Sequence, residues 1–203
     1  MAAGFVGMAL LRHLLHHVMP FLALYGVASL GYAAAVWRLH HQGGRRAALL
    51  LILGFAVLFR VTLLFTTPPT LSTDVYRYIW DGRMANAGIN PYAHRVDSPA
   101  LDAFDSPQRA LVNHRWMATP YLPVAQAFFA AVYRIAPDSP LAFQIATILL
   151  DLLTGWFVID LLRRLDRPRA WSLIYLWNPL IIIEFAHGAH VDALMICLKI
   201  KKK

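Results

Sequence analysis

The sequence has little material for a disulfide framework, a metal cluster or a charged soluble surface. Among its 203 residues there is one cysteine, Cys197, which excludes an internal disulfide and by itself supplies no metal cluster. Only 15% of the residues are charged, against roughly a quarter in soluble domains. In contrast, 59% are hydrophobic and the mean hydropathy is +0.51. These values exclude an ordinary soluble domain and predict a membrane protein.

Lysine is absent from residues 1–198, whose basic residues besides histidine are 15 arginines. All four lysines fall in the tail 199–203, and this abrupt change predicts an aberrant end such as a frameshift, a truncation or added sequence. Without the tail the net charge falls from +8 to +4, because 15 basic residues face 11 acidic ones. No nucleic-acid motif and no glycine-rich phosphate loop is present, so neither a nucleic-acid partner nor a nucleotide-sugar donor is expected.

Long apolar runs predict an all-α polytopic membrane protein with about four complete transmembrane helices. Arg60 lies near one end of the second run, from where its long side chain is expected to snorkel to the interface. The fourth run is expected to bend at Asn178-Pro179. A fifth span starts near Val191 and has too few residues left to cross. The predicted spans are residues 18–37, 47–65, 141–162 and 170–185.

Arginine clusters predict which ends of these spans face the cytoplasm. They place residues 66–140 outside the membrane as a loop of 75 residues, too long to be a simple connection. The apolar stretch 121–135 is short and is predicted to lie in the interface as a juxtamembrane helix. The preference for arginine and aspartate indicates a GC-rich bacterium, and hence the inner membrane. The clusters are Arg38, Arg45 and Arg46, and then Arg163, Arg164, Arg167 and Arg169.

The outer loop is predicted to begin with a helix that carries three charged residues on one face. Ser72 is a plausible N-cap, Gly88 ends the helix, and Asp74 then occupies the second helical position. Asp74, Arg77 and Asp81 follow at i, i+3 and i+7. The helix dipole favours an ionised Asp74, which suits a proton acceptor. The simpler alternative is that Asp74 only stabilises the helix terminus and that Asp81 pairs with Arg77.

Four strings in this sequence resemble, in order, segments of the GT-C glycosyltransferases, multi-span enzymes that use polyprenyl-phosphate sugars. The similarity covers roughly residues 45–198 and is nearest to bacterial mannosyltransferase-like members. Such proteins have ten or more spans, so the resemblance implies that residues 1–198 form only the N-terminal part of the membrane domain. The strings are PPTLSTDVYRYIWDGR (68–83), AGINPY (87–92), TPYLPVAQ (119–126) and WNPLIIIEFAHGAHVDAL (177–194).

The resemblance implies glycosyl transfer, with mannose as the expected sugar, from a polyprenyl-phosphate donor to a lipid-linked or glycan acceptor at the outer face. Asp74 is the implied catalytic base. Arginines suit the phosphate, because guanidinium groups make charge-assisted bonds to phosphate oxygens. The expected substrate-binding residues are Arg77, Asp81, Arg83, Asn90, Tyr92, Arg115, His190 and Asp192.

Three alternatives remain open at this stage. No cofactor is expected, but a divalent metal held by Asp74, His187 and His190 is a less favoured possibility. Asp151 and Asp160, inside a predicted span, suit a proton- or ion-coupled transporter, because intramembrane acids usually mark a function or a partner. The lysine tail suggests an inactive fragment or an assembly subunit.

Overall fold

The computed structural model describes residues 1–42, 46–66 and 68–201, so Arg45, Lys202 and Lys203 lie outside it. Within these ranges the protein is helical and contains no strand. The helices are α1 (Ala2–Leu11), α2 (Val18–Gln42), α3 (Arg46–Leu63), α4 (Asp74–Asn86), α5 (Pro107–Leu111), α6 (Pro123–Ile135), α7 (Pro140–Arg164), α8 (Leu173–Leu176), α9 (Pro179–Ile182) and α10 (Asp192–Lys201).

Three helices in the described ranges are long and apolar enough to cross a membrane, and they confirm three of the predicted spans. These candidate spans cover Leu14–His41, Ala48–Thr66 and Pro140–Arg164. The first is longer than predicted, because α2 continues through two histidines to Gln42. Before it, α1 packs antiparallel to α2. A Cβ on Gly4 would lie 2.8 Å from the carbonyl oxygen of Leu24, so the close approach requires glycine.

The bundle has two chemically different ends, because α3 and α7 pack antiparallel. At one end Leu63 of α3 and Ile148 of α7 share a buried cluster. At the other end Ile52 and Ile159 share a second one. The long loop leaves from the first end, and Arg163 and Arg169 lie beside Leu49 at the second. The opposite placement of loop and arginines agrees with the predicted topology.

Arg60 does not snorkel to the interface, so this prediction was wrong. Its side chain is fully buried and donates from Nε to Oδ2 of Asp151 over 2.5 Å. Nη1 also donates to the carbonyl oxygens of Ala56 and Leu176, each at 2.9 Å. The hydroxyl of Tyr175 donates to the other oxygen of Asp151 at 2.7 Å. A carboxylate across the helix interface pairs with the charge of the guanidinium inside the protein, although Nη2 is buried without a hydrogen-bond partner.

The predicted fourth span does not form as one helix. A break falls at Asn178, whose side-chain oxygen accepts the Leu180 N–H at 3.0 Å, and Pro179 then opens α9, as the sequence indicated. A π-helical turn follows over Ile183–His187. The segment Pro179–His187 meets α10 at a bend of 119°, as a broken span or a re-entrant loop. The described residues therefore hold three spanning helices, or four if this bent pair crosses.

The outer loop folds on α4 and α6. These helices cross closely at Gly82, where a Cβ would lie 2.6 Å from the carbonyl oxygen of Phe129. Asn86 bridges the crossing by donating to the carbonyl oxygens of Gly82 and Ala130. With 13 residues, α6 is only about 20 Å long, too short to cross an apolar core of about 30 Å. This length fits the interfacial position predicted for it.

Candidate functional site

Three of the sequence motifs meet in one buried apolar cluster at the loop end of the bundle. Tyr78 comes from α4, Phe129 from α6 and Val191 from the turn before α10. The rings of Tyr78 and Phe129 stack with centroids 4.5 Å apart, and Tyr121 packs edge-on against both. These contacts hold the start of α4 beside the turn that carries His190.

Asp74 stands at the N-terminus of α4 and is partly exposed. It is the first helical residue, one position earlier than predicted, and its backbone N–H donates to Oγ of Ser72 at 3.1 Å. Its Oδ1 accepts a hydrogen bond from Nδ2 of Asn113 at 2.5 Å. The Asn113 amide therefore fixes the orientation of the carboxylate at the helix N-terminus. Asn113 was not foreseen, because it lies 39 residues away in an irregular segment.

Two tyrosines beside Asp74 stay protonated. Burial, followed by the charge of Asp74, raises the pKa of Tyr121 to about 12. Burial also raises the pKa of Tyr78 far above its ordinary value, with contributions from Tyr121 and Asp74. Tyr78 is buried and its hydroxyl bonds to Tyr121 and to the backbone of Val191, so the half-buried Tyr121 is the phenol on this side of the site that reaches the surface.

Arg77 and Asp81 are buried and bind each other. Nε of Arg77 lies 3.0 Å from Oδ1 of Asp81, and Nε2 of Gln126 donates to Oδ2 at 2.8 Å. Arg77 also donates to the carbonyl oxygen of Met117, and Gln126 to Oγ1 of Thr119. Burial raises the pKa of Asp81, against the opposing charge and hydrogen bond of Arg77. This network joins α4 to α6 and to the 117–119 segment, and it leaves neither charged group open to solvent.

Arg83 joins three parts of the loop at the other end of α4. It donates to the hydroxyl of Tyr133 at 3.1 Å, to the carbonyl oxygen of Phe104 at 3.1 Å and to Oδ2 of Asp138 at 2.8 Å. About a quarter of its side chain is exposed. All three partners belong to the loop itself, so the geometry favours a role in holding the loop together.

Three other predicted substrate-binding residues lie at the surface. Asn90 forms a turn in which its Oδ1 accepts the Tyr92 N–H at 3.0 Å. The Tyr92 hydroxyl donates to the carbonyl oxygen of Tyr121 at 2.6 Å, which ties two of the resembling strings together. Arg115 is exposed, and its backbone carbonyl accepts the Asp97 N–H at 3.1 Å.

Arg109 organises the middle of the loop, and the sequence analysis had assigned it no role. It is buried, with its guanidinium carbon 5.2 Å from the ring centroid of Trp80. Nε and Nη2 donate to the carbonyl oxygens of Val96 and Ser98, and Nη1 to Asp102 at 3.0 Å. Nη1 also lies 3.5 Å from Oδ1 of Asp105, an i,i+4 pair that the spacing of the residues could have suggested. The two carbonyl partners lie on an irregular segment, which no local spacing signals.

His187 is fully buried, and both its ring nitrogens have partners. Nε2 accepts the Thr70 backbone N–H at 3.1 Å, so Nδ1 carries the proton and donates to Oγ1 of Thr66 at 2.6 Å. His187 therefore fastens the end of α3 to the start of the loop. Among the described residues no three His, Cys, Asp or Glu side chains are grouped to hold a metal. The structure does not bring Asp74, His187 and His190 together as a ligand set.

The turn after His187 places His190 beside Glu184. Nδ1 of His190 lies 3.5 Å from Oε2 of Glu184, the only glutamate in the sequence. A Cβ on Gly188 would lie 2.5 Å from the His190 ring, and Ala189 has a φ of +55°. Asp192 is exposed as the first residue of α10. The imidazole is thus held against the backbone, with a quarter of its side chain exposed.

Buried hydrogen bonds from α7 support this turn from below. Thr147 donates to the carbonyl oxygen of Phe185 at 2.8 Å, and Gln144 donates to those of Ala186 and His187. A π-helical turn shifts backbone pairing, so buried carbonyls there need other donors. π-Helical turns and positive φ values are enriched at functional positions, and this turn has both.

The class of protein follows from these features. It is a helical membrane protein whose polar groups at one end of the bundle include a partly exposed carboxylate, a half-buried phenol and an oriented imidazole. Comparison with known proteins identifies the family. Residues 3–201 match the family model of the alpha-(1->6)-mannopyranosyltransferase N-terminal domain, and the chain belongs to this family.

Two curated relatives come from Corynebacterium glutamicum. Alpha-(1->6)-mannopyranosyltransferase A is 29% identical over 145 residues, which cover 68% of this chain and 28% of that protein. Alpha-(1->6)-mannopyranosyltransferase B is 30% identical over 145 residues, which cover 67% of this chain and 23% of that protein. The chain thus spans about a quarter of the length of these relatives. No solved structure matches it.

Proposed function

We propose that this chain forms the N-terminal, acceptor-activating part of a multi-pass glycosyltransferase in a bacterial inner membrane. The enzyme transfers a mannosyl group from a polyprenyl-phosphate donor to a 6-hydroxyl of a lipid-linked or glycan mannose acceptor at the outer face. The sugar and the linkage follow those of the two alpha-(1->6)-mannopyranosyltransferases that the chain resembles. The observation that carries the proposal is the partly exposed Asp74, held by Asn113 at the N-terminus of α4.

The chemistry requires a base, because an alcohol is a poor nucleophile while it keeps its proton. The acceptor oxygen attacks the anomeric carbon and forms the new glycosidic bond. The bond from that carbon to the phosphate oxygen breaks, and the electron pair leaves with polyprenyl phosphate. Asp74 takes the proton of the acceptor hydroxyl. Its lack of an ion-pair partner among the described residues leaves the carboxylate available for that step.

Attack opposite the leaving group inverts the anomeric centre. An α-linked product then requires a β-linked mannosyl phosphate as donor. The neutral hydroxyls of Tyr121 and Tyr78 stand beside Asp74, and we assign Tyr121 to bind a sugar hydroxyl. His190 approaches from the turn before α10 and binds the same substrate. Arg77 and Asp81 act through the position of α4, because both are buried.

An apolar cleft next to the site suits the isoprenoid chain of the donor. It has a volume of about 430 Å³ and is lined by residues of α6 and α10 and by Leu122, the neighbour of Tyr121. The transfer of an isoprenoid chain from water to such an apolar surface is favourable. The lining residues are Leu122, Val124, Met195, Ile196, Leu198 and Lys199.

Asp74→Asn tests the proposal in the whole protein that carries this chain. Asparagine keeps the size of the side chain but accepts no proton, so we expect transfer to fall by about 10²–10⁴-fold. The measurement is mannosyl transfer from a polyprenyl-phosphate mannose in membrane vesicles, together with the thermal unfolding temperature of the purified variant.

Asp166→Asn is the matched control. Asp166 lies beyond the other end of α7 with a φ of +50°, a conformation that asparagine adopts well. Its transfer rate should equal that of the unmodified protein. Asp74→Asn that folds normally and retains full transfer removes Asp74 from the role of base.

A further inference from the structure

A cleft at the arginine end of the bundle has the two-part chemistry of a membrane lipid. Its volume is about 410 Å³, and it lies between α3 and α7, far from the loop that carries Asp74. Leu49, Leu53, Trp156 and Ile159 form its apolar walls, and Asp160, Arg163 and Arg169 form its polar part.

The polar and apolar parts are separated along the helix axis. Trp156 and Arg163 are seven residues apart on α7, a rise of about 10 Å towards the arginine end. On α3, Leu53 lies one turn further from the arginine end than Leu49. The cleft is therefore apolar at depth and charged at its rim, which matches the order of acyl chain and headgroup in a bilayer leaflet.

The charge at the rim favours an anionic headgroup. The Asp160 carboxylate accepts hydrogen bonds from Nη2 of Arg163 and from Nε of Arg164, each at 2.8 Å. In the part of the chain that the structure describes, no ion pair joins Arg169 to a carboxylate. At the rim of the cleft the two guanidinium groups of Arg163 and Arg169 thus stand against the one carboxylate of Asp160, a local charge of +1. Guanidinium forks bind phosphate oxygens, whereas a zwitterionic headgroup also presents a cation that this rim repels.

The indole at the cleft strengthens the case for a lipid. Trp156 is 64% exposed although it stands on a membrane-spanning helix. Tryptophan is enriched where acyl chains meet headgroups, because its ring is apolar and its N–H is a donor. We propose that this cleft binds one anionic phospholipid, with its phosphate on Arg163 and Arg169 and an acyl chain between Leu53 and Trp156.

The experiment counts lipids retained by the purified chain in detergent. The protein is mixed with equal amounts of phosphatidylglycerol and phosphatidylcholine, and native mass spectrometry measures which lipid stays bound. Basic residues near anionic lipid contribute about fivefold each. We expect one retained phosphatidylglycerol at a preference of at least fivefold, and no preference in the double variant Arg163→Gln/Arg169→Gln.

Two further variants keep the outcome decisive. Arg95→Gln/Arg134→Gln removes the same charge from exposed positions of the outer loop and should retain the preference. Leu53→Trp fills the apolar part without changing any charge and should lower lipid retention at least fivefold. The proposal is overturned if both lipids are retained equally by the unmodified chain. It is also overturned if the outer-loop pair loses the preference as fully as the cleft pair, which would indicate attraction by net charge alone.

Discussion

Asn113 is the residue on which the geometry of Asp74 depends most directly. Its amide donates to Oδ1 over 2.5 Å and leaves Oδ2 for a substrate proton. An amide fixes a carboxylate without adding charge, so the proposed base keeps its orientation. A positioning residue of this kind acts on the reaction through Asp74 alone.

Replacing Asn113 tests that role. A hydrogen bond to a charged group is worth about 1.5–3 kcal/mol, so Asn113→Ala should reduce kcat by about 10–100-fold. The donor KM should stay unchanged, because the amide holds the base and not the donor. Steady-state transfer kinetics in the whole protein separate the two constants.

Gln108→Ala, in the same loop, is the control and should leave both constants unchanged. If Asn113→Ala raises the donor KM while kcat stays constant, then the amide contacts the substrate instead, and the positioning role is wrong.

At the scale of elements, the crossing of α4 and α6 positions the site. Gly82 allows the backbones to touch, and Asn86 bridges them on the same side. The sequence predicted α4 from its start and stop residues and α6 from a short apolar run. It did not predict their close crossing, because the need for glycine arises from a carbonyl 47 residues further along the chain, that of Phe129.

Gly82→Ala should separate these helices. A methyl group there meets backbone, which cannot move aside as a flexible side chain can, so we expect about 1–3 kcal/mol of destabilisation. The measurement is the thermal unfolding temperature in detergent. Gly54→Ala, where a Cβ has no neighbour within 4 Å, should unfold at or above the temperature of the unmodified protein. Equal unfolding temperatures for both variants would contradict the tight crossing.

The ion pair of Arg60 and Asp151 joins α3 to α7 inside the bundle. Both side chains are fully buried, and the Tyr175 hydroxyl donates a hydrogen bond to the second oxygen of the Asp151 carboxylate. The sequence suggested a snorkelling arginine and, separately, an acid suited to ion transport. Arg60 and Asp151 form a buried ion pair, which gives each of them a structural role. Asp151 therefore lends no support to a transporter.

Breaking the pair should cost more than replacing it. Arg60→Met or Asp151→Leu alone leaves an unpaired buried charge, and we expect a loss of about 3–5 kcal/mol. The double variant Arg60→Met/Asp151→Leu should recover most of that loss, because no charge remains. Unfolding in detergent measures the four stabilities. Losses that simply add in the double variant would show that the two side chains are not coupled.

For the whole molecule, the decisive property is that the loop and the arginines occupy opposite ends of the bundle. Cys197 is buried, so new cysteines are labelled over a low background. In intact cells a membrane-impermeant maleimide should label Ala103→Cys in the outer loop, because that residue is exposed. Leu165→Cys, beyond the arginine end of α7, should react only after the membrane is opened. The reverse labelling pattern would show that the predicted topology is wrong and that the loop faces the cytoplasm.

The sequence by itself determined the three long apolar helices, the separation of the long loop from the arginine cluster at opposite ends of the bundle, and the family resemblance. Each rests on a local property of the sequence. A run of about twenty apolar residues is long enough to cross a bilayer, and arginines in the loops beside the spans favour the cytoplasmic side. The place of Asp74 in the first turn of α4 belongs with these, because capping residues and a conspicuous string mark the start of that helix. The Asn178-Pro179 break was also predictable, since proline lacks the N–H that a helix interior needs.

Only the tertiary structure decided which charged groups are buried and which remain open. Arg60 and Asp151 meet 91 residues apart, and Asn113 reaches Asp74 across 39. It also divided the predicted fourth span into short helices and a bend, where carbonyls are satisfied by Gln144 and Thr147. Local periodicity carries no information on such pairings, because the energy of a buried polar group depends on the partner that packing brings to it.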